Sequence, residues 1–145
     1  MGYVLKRATV SLRSAMDAAL RPLALTVPQY ACLELLGRRP GLSNAELARG
    51  AFVTRQSMNL VLRGLQDRGL LTRPATAPRG RVLPTRLTPE GRRHLHDAAL
   101  AVGRVEHQML SRLAPSEQQR LRDDLAACSA ALDSTAGHPA HGLTP

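Results

Sequence analysis

Between Ser43 and Leu87 the chain passes through two capped helical segments and then abandons helical periodicity. Ser43 stands three residues before Glu46, the spacing of a capping box, and opens the short helix NAELARG. Gly50, Ala51 and Phe52 form a tight connection. Thr54 then caps a longer helix that runs to about Arg68. Met58, Val61, Leu62 and Leu65 recur there at helical steps and define one buried stripe. Residues 70–73 read as a short strand. Residues 74–80 hold two prolines and a glycine without a period, and residues 81–87 read as a second strand, edge-like because of Pro84. Helix, turn, helix, strand, basic loop, strand is the order of a winged helix-turn-helix. The fold class expected is mainly α with a small β-wing.

Helices flank this unit on both sides. Leu5, Leu12, Met16, Ala19, Leu20 and Leu23 fall mainly at steps of three and four, giving an amphipathic helix over residues 5–23 that Pro22 limits. Thr26 or Val27 lies at the start of a second helix with Pro28 in its first turn, and Gly37 closes it. Thr88 caps a long helix whose stripe is Leu95, Ala99, Val102, Val105, Met109 and Leu113. Pro115 begins a last helix carrying Leu121, Leu125, Cys128 and Leu132. The expected divisions are N-terminal helices at 1–36, the winged helix-turn-helix lobe at 37–93, C-terminal helices at 94–133, and a flexible tail at 134–145.

Charge locates the functional half. The 145 residues carry a formal net charge of +9. Twelve arginines and three acids lie between Arg38 and Arg93, so this span holds the whole excess and its two flanks sum to zero. A concentrated basic segment inside a helix-turn-helix points to nucleic acid. One Phe, two Tyr and no Trp exclude recognition built on aromatic stacking. Cys32 and Cys128 form no CxxC pair, the first residues lack a signal-peptide core, and no apolar run reaches bilayer length. These features fit a soluble cytoplasmic protein.

The buried stripe of the longer helix leaves Arg55, Gln56, Ser57, Asn59, Leu60 and Arg63 outside the core. Arg can bridge guanine O6 and N7, and Asn or Gln can pair with adenine. Arg55, Gln56 and Asn59 are the candidates for base contact, with phosphate contact as the competing role. Ser57 and Arg63 complete the major-groove set, and Thr54 with the helix N-terminus can hold a phosphate. Around the wing, Ser43, Arg73, Arg79, Arg81 and Arg86 are candidates for backbone or minor-groove contact.

The phrases LTVPQY, GLSNAELA, VTRQSMNLVLRGLQDRGL and LTPEG stand in the order found in MarR-family transcriptional regulators, and the chain resembles that family over nearly all of residues 3–133. The resemblance implies a homodimer whose first and last helices interlock, with recognition helices in successive major grooves of a palindromic double-stranded operator. The family's wing usually carries an aspartate two residues before an arginine. Arg81 matches the arginine, but Arg79 occupies the aspartate position. Many such proteins are repressors released by small, often aromatic or phenolic, molecules. The implied pocket lies between the dimer helices and the DNA-binding lobe, with Met16, Leu20, Tyr30, Leu33 and Leu36 as candidates. No cofactor is implied.

Other readings stay open at the level of sequence. Cys32 and Cys128 fit buried apolar positions better than a redox sensor. His96 and His107 share a helix face but are 11 residues apart, too far to ligate one ion within a single helix. A metal-responsive regulator therefore needs help from Asp97, Glu106 or a partner helix. A winged helix that binds protein alone is the remaining rival. No phosphate-binding glycine loop, HExxH or nucleophile–base pair suggests an enzyme.

Overall fold

The structure is a computed structural model that describes residues 1–73 and 85–136, with side chains through 133. Six helices and a two-stranded sheet occur among the described residues: α1 Gly2–Leu20, α2 Val27–Arg38, α3 Asn44–Gly50, α4 Arg55–Asp67, β1 Leu71–Thr72, β2 Arg86–Leu87, α5 Pro89–Leu110 and α6 Pro115–Ala136. The strands are antiparallel and pair Leu71 with Leu87 and Thr72 with Arg86. The chain divides into two units, Met1–Glu106 and His107–Pro145.

Local chemistry sets most helix boundaries. Pro22 cannot continue α1, and Arg21–Leu23 tightens into a 3-10 turn that ends with Ala24 at a left-handed φ of 52°. Thr26 caps α2 by a reciprocal box with Gln29, with Pro28 in the first turn. Ser43 and Glu46 form the expected box at α3. The Thr54 side chain accepts from the Ser57 N–H at the start of α4. Gly69 takes φ 68° after α4, where a left-handed residue lets the chain turn into β1.

The core of the first unit gathers α1 to α5 around leucines. Leu20, Leu33, Leu47, Leu62 and Leu65 have no exposed surface, nor does Met58. Val61 packs half-buried beside them, so the predicted stripe of α4 faces inward. Thr88 joins the wing to α5: its hydroxyl donates to the Gly69 carbonyl (2.7 Å) and accepts from the Gly91 N–H (2.9 Å).

Several expectations change in detail. The first helix starts at residue 2 and gives way to the 3-10 turn before residue 23. The inward residues of α5 are Gly91, Ala98, Ala101 and Val102, whereas Ala99 is exposed. The inward stripe thus runs through small residues rather than the largest side chains. The strands are shorter than predicted. Most of the second predicted strand and the loop before it lie outside the described residues, as do Arg79 and Arg81. The last helix continues to Ala136, three residues past its expected end, and its apolar positions Leu121 and Leu125 are 38% and 42% exposed. Cys128 is likewise exposed, contrary to the buried position expected for it.

Candidate nucleic-acid interface

The α4 segment separates its residues by burial. Met58, Leu62 and Leu65 turn into the core, while Arg55, Gln56, Ser57, Asn59, Leu60 and Arg63 are exposed. This division follows from 3.6 residues per turn: placing one stripe inward leaves the opposite positions to solvent. The hydroxyls of Thr54 and Ser57 are joined, with Thr54 donating at 3.0 Å. The Ser57 N–H is already taken by the Thr54 hydroxyl, so an anion at this helix start would meet the N–H groups of Arg55 and Gln56.

Asn59 is held by a residue that sequence reading missed. Asn44, at the start of α3, donates from Nδ2 to Asn59 Oδ1. The two residues are 15 apart, and no local sequence signal pairs them. Ser43 is partly buried and occupied by its cap: its hydroxyl donates to Glu46 Oε2 at 2.7 Å. These Ser43 bonds hold the Glu46 carboxyl below its usual pKa. Arg39 approaches the same carboxylate at 3.6 Å.

At the base of the wing, Arg73 and Arg86 are exposed. Arg68, at the end of α4, has a different role from the arginines around it. Its guanidinium donates to the carbonyls of Ala24 (2.6 Å) and Leu23 (3.3 Å), binding α4 to the end of the 3-10 turn. The basic excess therefore includes a structural arginine as well as solvent-facing ones.

The five candidate pocket residues are not alike. Leu20, Leu33 and Leu36 are fully buried, Tyr30 is 7% exposed and Met16 is half-buried against them. Burial, followed by the charges of Glu34 and Glu106, raises the Tyr30 pKa. Leu36 also lines a cavity of about 450 Å³ with Leu87 and Leu95, and Arg86, Arg92 and His96 supply its polar groups. Arg92 is anchored there by a 3.2 Å bond to the Leu87 carbonyl.

Cys32 has no exposed surface, and burial pushes its thiol up to about 12 despite the opposing Arg73 charge. His94 meets Glu90 at 3.1 Å. No group of three or more His, Cys, Asp or Glu suited to a metal occurs among the described residues. No helix among them is long and apolar enough to cross a membrane.

The sequence pattern of the MarR family matches residues 25–81. The HTH-type transcriptional repressor Rv2887 of Mycobacterium tuberculosis is 45% identical over 122 residues, covering 84% of this chain and 88% of the relative. The crystal structure of Rv2887 in complex with salicylic acid superimposes with a TM-score of 0.74 at 44% identity, covering 88% of this chain and 95% of that one. Its structure in complex with DNA gives 0.75 at 41% identity, covering 88% and 96%. With a full-length relative at this identity and a winged helix-turn-helix of the same build, the chain belongs to the MarR family of transcriptional regulators.

Proposed function

We propose that this chain is a sequence-specific, double-stranded-DNA-binding repressor that acts as a homodimer on a palindromic operator and is released by a small aromatic carboxylate. The observation that carries the DNA reading is the exposed face of α4, where Arg55, Gln56, Asn59 and Arg63 stand opposite a buried stripe. Arg55, Gln56 and Asn59 read base edges, while Thr54, Ser57 and Arg63 contribute at the same groove. Ser43, Arg73, Arg79, Arg81 and Arg86 serve the backbone and minor groove. The DNA complex of Rv2887 supports the DNA-binding reading as a whole.

Dimerisation is supported by apolar side chains that stay exposed in both terminal helices. Tyr3, Val4 and Val10 of α1 are 73%, 66% and 61% exposed, and α6 leaves Leu121 and Leu125 accessible. A second copy offers the cover these helices lack in the single chain.

The effector reading draws on the salicylic acid complex of Rv2887 and on the cavity shared by Leu36, Arg86 and Arg92. Its leucines suit a ring and its guanidiniums a carboxylate. The cavity includes β2, so a ligand there acts on the base of the wing. Release requires that the ligand bind the DNA-incompetent state more tightly. Entry at Met16, Leu20, Tyr30 and Leu33 requires the packed core to open.

The test is binding of the full chain to a duplex selected from a random pool and to its scrambled version, with Arg55, Gln56 and Asn59 replaced singly by Ala. At least one replacement should lose specificity more than total affinity, and salicylate should release the wild type. Equal affinity for selected and scrambled duplexes at physiological salt overturns the DNA reading and favours a protein-interaction module. Binding unaffected by saturating aromatic carboxylate overturns the effector reading alone.

A further inference from the structure

Leu60 is the one large apolar side chain on an otherwise polar α4 face, and it is 65% exposed. Its place is fixed by the core: the buried trio Met58, Leu62 and Leu65 turns Leu60 away from the interior. Gln56 lies four residues before it and Arg63 three residues after, so all three share one helix surface. Asn59, its neighbour in the chain, is held from behind by Asn44. Leu60 thus stands within the array of side chains assigned to the bases, but it can neither donate nor accept a hydrogen bond.

We infer that Leu60 reads the C5-methyl group of a thymine in the major groove. This inference rests on the DNA-binding reading of α4 above. Among the groups that base pairs present in the major groove, the thymine methyl is the apolar one that an aliphatic side chain can recognise by contact. The flanking Gln56 and Arg63 offer hydrogen bonds and charge, which bring the helix face to DNA. Burial of Leu60 against the methyl removes apolar surface from water on both partners. Replacing thymine by any other base forfeits that contact, so Leu60 contributes specificity and not only affinity. A polar residue at this position would leave thymine and cytosine to be told apart by hydrogen bonding alone.

Deoxyuridine scanning isolates the methyl, because thymine and uracil differ by that group and keep the same pairing edge. The full-length wild-type chain is first used to select a duplex from a random pool. Each thymine of that duplex is then replaced by deoxyuridine, and affinities are measured for wild type, Leu60→Ala and Leu60→Gln. At one thymine per half-site, loss of the methyl should weaken wild type roughly three- to fourfold. The same replacement should leave both variants unchanged, and both should bind the thymine duplex more weakly than wild type does. A scan that is flat for wild type at every position overturns the thymine contact while leaving DNA binding intact. A methyl effect that persists undiminished in Leu60→Ala assigns the contact to another residue and also overturns it. Failure of any duplex to be enriched overturns the DNA-binding reading itself, and the inference with it.

Discussion

Asn44 Nδ2 donates to Asn59 Oδ1 across the corner between α3 and α4, tying the first residue of one helix to the exposed face of the next. The remaining oxygen of Asn44 is enclosed and has no hydrogen-bond partner among the described residues. A buried acceptor left unpaired costs stability, so this asparagine does more for its neighbour than for the fold. On the proposed base-contacting role of Asn59, this bond holds its amide in one orientation before DNA arrives and lowers the ordering cost of binding.

Asn44→Ala should accordingly change thermal stability by less than about 1 kcal/mol, since it removes an unpaired acceptor along with one exposed bond. Its effect should appear in DNA recognition. In a double-mutant cycle with Asn59→Ala, the binding coupling should be about 0.5–1.5 kcal/mol. Additive losses in selected-duplex affinity would mean that Asn44 does not act through Asn59.

Gly91 packs directly against the backbone of Leu70, the residue that leads into β1. A Cβ at this position would lie 1.8 Å from the Leu70 carbonyl oxygen. That oxygen also accepts from the Thr88 N–H at 3.1 Å, so neither partner moves without breaking the α5 cap region. Gly91→Ala should destabilise the protein by about 3 kcal/mol, read as a fall in denaturation midpoint at unchanged m-value. An unchanged midpoint would show that the α5 start can shift freely.

Much of this architecture was legible because it is written in local chemistry. The box from Ser43 to Glu46, the Thr54 cap and the stripe Met58, Leu62 and Leu65 are each encoded within a few residues. What could not be read depends on distant packing. The rotation of α5 that buries Ala98 instead of Ala99 is set by its neighbours, and small residues give weak periodicity. The Asn44 bond to Asn59 is tertiary and had no pattern to reveal it. Exposure of Cys128 was missed because an apolar stripe looks alike whether its partner is the same chain or another. Charge counting placed the basic segment but could not tell Arg68, bonded to two backbone carbonyls, from Arg63.

Arg68 offers a direct separation of those roles. Its two bonds to Ala24 and Leu23 satisfy carbonyls at the end of the 3-10 turn. Arg68→Ala should cost about 1–2 kcal/mol of stability, because hydrogen bonds from a charged donor exceed neutral ones. The slope of log affinity against log salt for duplex binding should stay at the wild-type value if Arg68 meets no phosphate. A slope reduced by about one unit would place it at the DNA instead.

Cys32 should behave as an inert core thiol. It has no exposed surface, and burial pushes its pKa up to about 12, above the ordinary thiol value. In a Cys128→Ser background at neutral pH, a thiol reagent should label less than ~0.1 equivalent of native protein in minutes and about one equivalent after unfolding. The raised folded pKa also fixes a direction with pH. Below the unfolded thiol value both states keep the proton, and the contribution of Cys32 to stability is fully present. As pH rises past that value toward 12, the unfolded chain ionises first and the contribution is lost. Comparing unfolding midpoints of this variant and its Cys32→Ala derivative between pH 7 and the alkaline range isolates the effect: their difference should shrink as pH rises. Rapid labelling of the native protein at neutral pH, with loss of DNA binding that a reductant restores, would reinstate Cys32 as a redox sensor.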